Sequence, residues 1–153
     1  MKLWQRFPTF KQRGEWVELQ FMAQAALHGY HVLKPWGDSL EYDVATEHSG
    51  NLTRVQVKSS SYLRGTGYYC EFKPHNYREG YSLKQVDLFA AHVIPTNAWY
   101  LIPAAALLRH RIQGLMLCPV RPSRRCPYTY EKYREAWGLL GKTSRQLARH
   151  GKR

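Results

Sequence analysis

The sequence predicts one sandwich of the α/β or α+β class: a leading helix, a hairpin-rich sheet, and further helices packed on that sheet. Three observations predict it. At 153 residues the chain has room for one domain with a proper core but not for two ordinary ones. A composition of 44% hydrophobic and 22% charged residues is that of a globular protein and excludes wholesale disorder. The apolar pattern also runs first at helical spacing and then at the alternating spacing of strands, before turning helical again.

The leading helix is read from "EWVELQFMAQAALHGY", in which Val17, Phe21, Met22, Ala25 and Ala26 recur at helical spacing. Gly29 is a natural residue just past a helix end, so the helix is expected over about 15–28. "HVLKPW" then reads as a short strand stopped at Pro35, and "GDSL" as a turn.

Residues 41–60, "EYDVATEHSGNLTRVQVKSS", read as a β-hairpin. Tyr42 and Val44 face one way, Glu41, Asp43 and Ala45 the other. Past the turn "HSGN", Val55 and Val57 alternate with Arg54, Gln56 and Lys58. With Ser49-Gly50 at the centre of the turn, Asp43 falls opposite Gln56; with Gly50-Asn51, it falls opposite Lys58. Either two-residue loop keeps Asp43, Gln56 and Lys58 on one face, and a three-residue loop breaks that parity.

"YYCEFK" is the next strand, after the glycine-rich "RGTG". "VDLFAAHVI" and "AWYLI", joined by "PTN", are apolar enough to lie centrally in a sheet. "AAALLRHR" is a short helix, "LMLCPV" a last strand and "YTYEKYREAWGLL" an aromatic-rich helix, followed by a basic tail over 142–153.

The formal net charge is +12, and its placement is uneven. Residues 1–103 hold 11 Lys/Arg against 9 Asp/Glu, and residues 104–153 hold 12 against 2. Such an excess points to a polyanion, because each phosphate neutralised by Lys or Arg releases condensed counterions. A membrane is not the expected partner, since "LFAAHVIP" is too short to span one. "MKLWQRFPTF" lacks the apolar core of a signal peptide. A cytoplasmic protein is expected. Cys70, Cys118 and Cys126 form no CxxC pair and the histidines no metal-binding motif, so reduced thiols in or near the core are expected rather than a zinc site.

A strand pair placing a carboxylate beside a lysine, preceded by a helix bearing Glu15 and Glu18, supplies what metal-assisted phosphodiester cleavage needs. Hard oxygen ligands hold Mg2+ or Mn2+, the metal polarises the phosphate and acidifies water, and a cation offsets developing negative charge. The order "GEWVE", "YD", "VQVK", that is Glu18, Asp43 and Gln56-Val57-Lys58, resembles the PD-(D/E)XK nuclease superfamily. With Gln in place of the second acid it is similar to group I intron-associated homing endonucleases of that superfamily. "GYHVLKPWGDSLEYD" and "VDLFAAHVIPTNAWYLIP" extend the resemblance to about residues 10–103. Two departures stand out. Tyr42 replaces the proline of Pro-Asp, and Gln56 offers an amide oxygen without charge, so the site would lean on Glu18 to balance a metal.

The resemblance implies an α/β fold of the restriction-endonuclease-like kind, a central mixed β-sheet flanked by helices, filling residues 1–141 ahead of the tail. It implies a metal-dependent endodeoxyribonuclease cutting duplex DNA, with Mg2+ as the metal and Mn2+ able to substitute. Asp43, Glu18 and the backbone carbonyl of Val57 would hold the metal, Gln56 would orient it or its water, and Lys58 would contact the scissile phosphate or the attacking water. Glu15 is a reserve candidate, better explained as a first-turn acid favoured by the helix dipole.

Ser59 and Ser60, with Arg64 beyond them, are candidates to contact phosphate oxygens, as are Arg121, Arg124 and Arg125 of "RPSRRC". Asp87, which opens an apolar strand, is as readily a structural hydrogen-bonding acid as a site residue. Cutting both strands takes two active sites, so the resemblance further implies a homo-oligomer, a dimer or tetramer. The rival readings are a Holliday-junction-resolving or repair nuclease with the same residues, and a non-catalytic DNA- or RNA-binding module derived from a nuclease. Intact Glu18, Asp43 and Lys58 argue against the last.

Overall fold

The computed structural model describes residues 2–74, 80–120 and 128–150. Helix α1 (Phe10–Leu27) begins a full turn earlier than its apolar pattern suggests. Thr9 caps it, its Oγ1 accepting from the Gln12 amide at 3.1 Å, so Gly14 lies inside the helix instead of marking its start. Its far end closes as expected. Gly29, at φ 85°, donates to the Ala26 carbonyl at 3.0 Å and Tyr30 to that of Ala25 at 3.1 Å, the paired bonds of a Schellman motif.

Among the described residues the strands are β1 (His31–Leu33), β2 (Val44–His48), β3 (Asn51–Ser60), β4 (Leu63–Arg64), β5 (Gly67–Glu71), β6 (Leu88–Val93), β7 (Ala98–Pro103) and β8 (Gly114–Leu117). Five form one sheet in the order β1-β2-β3-β6-β7, and β4-β5-β8 form a second. In the larger sheet β3 and β6 are parallel and the other pairs antiparallel. This is the mixed sheet with flanking helices that the sequence predicted.

The β2–β3 turn takes the first of the two possible registers. Val44 pairs with Val55 and His48 with Asn51, leaving Ser49 and Gly50 at φ 50° and 79°. Two positive φ values make a type I′ turn, whose twist suits a hairpin. On one face of the sheet, Val17, Phe21 and Ala25 of α1 are buried, and Phe21 meets Trp99 and Trp137 at ring-centroid distances of 5.8 and 6.0 Å. On the other, Phe89 packs edge-on against Phe72 and Tyr81 at 5.3 and 5.2 Å.

Both apolar strands β6 and β7 are buried along their whole length, but β7 ends the sheet rather than lying inside it. What covers it is the segment expected to be an aromatic-rich helix. That segment forms two 3-10 turns instead, Tyr128–Tyr133 and Trp137–Gly141, separated at Glu135 with φ 51°. The Glu135 amide donates to the Trp99 carbonyl at 2.8 Å. Its carboxylate accepts from the Trp99 amide at 2.7 Å and from Trp137 Nε1 at 2.8 Å. Protecting an open strand edge outweighs continuing a helix here.

No boundary is seen after residue 141. Residues Ser144–Arg149 form helix α3, capped by Thr143, and Leu147 is 1% exposed within the core. The helix packs on α2 (Ala104–Leu108), and Arg109 donates to the Ala148 carbonyl at 2.6 Å. The segment read as a tail is therefore part of the domain as far as His150. Cys70 is a free, buried thiol as expected, whereas Cys118 is disulfide-bonded. No described helix is long and apolar enough to cross a membrane.

Candidate active site

β3 runs on to Ser60, but β2 joins it only from Val44. Asp43 thus lies one residue outside the ladder, still tied to β3. Its amide donates to the Val55 carbonyl at 3.0 Å, and its Oδ2 accepts the Val57 amide at 2.8 Å. Between this end of β3, the segment leading into β2 and the first half of α1 opens a cleft of ≈ 1160 Å³. Glu18, Asp43, Gln56, Val57, Lys58 and Ser59 all line it.

The environments of Asp43 and Lys58 shift their ionisation. Burial pushes the Asp43 carboxyl up to about 6; the Val57 amide opposes this, the charge of Glu18 adds to it, and Lys58 and Lys34 pull it back. Burial also lowers the Lys58 ammonium below its ordinary range, against the attraction of Asp43. Lys58 Nζ donates to the Lys73 carbonyl at 3.2 Å and lies 5.3 Å from the centroid of the Tyr81 ring. Glu18 is ion-paired with Lys34, and Gln56 is buried.

Other expected positions fall elsewhere. Glu15 lines the cleft but is exposed, and because α1 starts at Phe10 it lies beyond the first turn, so the helix dipole does not account for it. Ser60 faces away from a phosphate role: it is buried, and its hydroxyl donates to the Tyr69 carbonyl at 2.6 Å, tying β3 to β5. Alternation puts Ser60 on the same face as Lys58; it is the packing of β5 against that end of β3 that claims its hydroxyl. Arg64 is exposed and lies over the rings of Tyr62 and Tyr69. Arg121, Arg124 and Arg125 lie outside the described residues. Asp87 takes its structural alternative, pairing with Arg54 through Nε at 2.8 Å and Nη2 at 2.9 Å while accepting the Arg54 amide at 2.9 Å. Burial works to raise the Asp87 carboxyl, and the Arg54 hydrogen bonds outweigh it, so the net shift is downward.

Lys34 and the pair Glu71–Lys73, 3.5 Å apart, also line the cleft, and the sequence reading missed them. The signal for Lys34 lies in strand pairing. Leu33 faces Ala45, so the residue after it must arrive beside the end of β2 that carries Asp43.

The donor set bears on a metal. The carboxylates of Asp43 and Glu18, the Gln56 amide and the Val57 carbonyl are all oxygen donors on residues lining one cleft; among the described residues there is no group of three or more His, Cys, Asp or Glu that could hold a metal ion. All-oxygen sets suit hard divalent cations such as Mg2+ and Mn2+. The mutual repulsion of Asp43 and Glu18 marks a place where added positive charge is favoured. The residues fit such an ion.

Comparison with known proteins gives a consistent picture. A family model for the PD-(D/E)XK endonucleases matches residues 9–137. Among solved structures, the bacterial homing endonuclease I-Ssp6803I superposes with a TM-score of 0.75 at 28% sequence identity, over 87% of this chain and 93% of that one. No curated protein matches the sequence.

Proposed function

Because the chain belongs to the PD-(D/E)XK endonuclease family, we propose that it cuts both strands of duplex DNA in the manner of a homing endonuclease, with Glu18, Asp43, Gln56 and Lys58 as its active-site residues and Mg2+, or Mn2+ in its place, as the metal. The observation that carries this reading is the convergence of these four residues, from helix α1, strand β3 and the segment leading into β2, on a single cleft.

Asp43, Glu18, Gln56 and the Val57 carbonyl would hold the metal, which supplies Lewis-acid activation of the phosphate and acidification of water. The rest falls to the chain itself. The Val57 amide fixes one Asp43 oxygen, so the carboxylate cannot swing away from the cleft. Lys58, tethered by the Lys73 carbonyl and flanked by Tyr81, holds a preset ammonium where charge develops on the scissile phosphate, at no cost in reorganisation. Gln56 adds a polar contact without a third negative charge.

Ser59, on the cleft wall, would donate to a phosphate oxygen. Arg64, Arg121, Arg124 and Arg125 would hold the duplex through its backbone. Two copies of the chain would supply the two sites that double-strand cutting requires.

The test is cleavage of supercoiled plasmid and of a four-way junction, with Mg2+, Mn2+ or EDTA, by the wild type, Asp43→Ala and Lys58→Ala. Metal-dependent plasmid cutting, reduced at least about 100-fold in each variant, is expected. Preference for the junction would transfer the same chemistry to a resolvase. Equal DNA binding by all three proteins with no cleavage of a panel of genomic DNA would replace it with a binding module.

A further inference from the structure

We propose that Trp36 is a DNA-contacting residue that stacks its indole on a base beside the scissile step; the inference rests on the nuclease reading above. Of the five tryptophans, Trp99 and Trp137 are buried and Trp4 and Trp16 pack partly against the core, whereas Trp36 is 98% exposed. Leaving so large an apolar ring in water forgoes the burial energy that the other four gain.

The local backbone accounts for the exposure. Pro35 restricts the residue before it and fixes its own φ, Gly37 takes φ 72°, and the chain bends over Trp36–Asp38, so the ring is held off the body. The place of this bend matters more. Lys34, Pro35, Gly37, Asp38 and Leu40 line the same cleft as Asp43 and Lys58. Lys34 is ion-paired with Glu18, and the Trp36 Cα lies within about 7 Å of the Lys34 Cα along the chain. The segment carrying Trp36 thus forms part of the cleft wall, while the ring itself projects into solvent beside it without lining it.

The occupant follows from charge and chemistry. A protein of net charge +12 attracts a polyanion, and among polyanions only nucleic acid presents flat π-faces for an indole. An exposed aromatic beside such a cleft can wedge into a base step or receive an unstacked base.

The test is anisotropy of a labelled 30-base-pair duplex of mixed sequence, in EDTA to prevent cutting, titrated with the wild type, Trp36→Phe and Trp36→Leu over a range of salt. Trp36→Leu is expected to weaken binding by about 5- to 150-fold, with an unchanged dependence on salt. Trp36→Phe should stay within about 3-fold of the wild type, because it keeps a stacking face. Both variants should melt with the wild type, since the ring packs on nothing.

Wild-type affinity in Trp36→Leu overturns the inference and leaves the nuclease reading intact. So does a loss seen as altered self-association in sedimentation, which would make the ring a contact between copies. Failure of the wild type to bind the duplex sinks the nuclease reading and this inference together.

Discussion

Replacing Asp43 with asparagine should make the metal-free protein more stable at neutral pH, although it removes an active-site group. In the fold the carboxyl is pushed from 3.8 to about 6, chiefly by burial. Its folded value thus exceeds its unfolded one, and between those two values the native state binds more protons than the unfolded state. Stability from this group is present in full below about pH 4, declines as pH rises, and is lost above about 6. At ~1.4 kcal/mol per pH unit, the penalty carried by the ionised carboxylate at pH 7.5 is on the order of 3 kcal/mol. Access of water to the cleft lowers that ceiling, and about 1–3 kcal/mol is the range expected.

Asparagine is nearly isosteric and its carbonyl oxygen can still accept from the Val57 amide, so the comparison isolates the charge. The assay is urea unfolding of the wild type and Asp43→Asn in EDTA at pH 4 and pH 7.5, and again with 10 mM Mg2+. The variant should match the wild type at pH 4 and exceed it at pH 7.5. Mg2+ should then stabilise the wild type selectively by mass action. A difference that is flat with pH, or a variant less stable at pH 7.5, would refute the reasoning.

Two further substitutions test the frame that presents the site. Leu147→Ala should cost about 2–5 kcal/mol in urea unfolding, because the side chain is buried in the core; a loss under 0.5 kcal/mol would return residues 142–150 to the status of a tail. Asp87→Asn should cost about 3–5 kcal/mol at pH 7, since it strands the Arg54 guanidinium that grips it. Because the Asp87 carboxyl is held below its ordinary value, that stability is present above about pH 4 and is lost as pH falls further, so the variant and the wild type should converge in acid.

The parts of the protein legible in its sequence are those set by local rules. Alternation put Gln56 and Lys58 on one face, and a two-residue turn brought Asp43 to their side. The end of α1 followed from Gly29. What failed depended on contacts between distant segments. The start of α1 was hidden because Gly14 looks like a boundary, and only the Thr9 cap shows otherwise. The stretch 128–141 has a helical composition, but an unprotected strand edge at Trp99 claims Glu135 and breaks it. The ion pair of Lys34 with Glu18 was hidden for the same reason: the two residues meet only through the packing of β1 beside α1.

The glutamine at position 56 sets a charge balance that a second acid would upset. Asp43 and Glu18 already repel one another, and Lys34 and Lys58 offset them, so two acids meet two cations before any metal binds. Gln56→Glu would add a third carboxylate at a position only 8% exposed. Two adjacent buried acids do not both ionise readily, and the pair would share a proton over a range extending above pH 6. The variant should therefore unfold at lower urea than the wild type at pH 7.5 without metal, and gain more stability from Mg2+, because the added charge favours a divalent cation. If the variant is equally stable in EDTA and its response to Mg2+ is unchanged, Gln56 lies too far from the carboxylates to take part in their balance, and its place in the site falls.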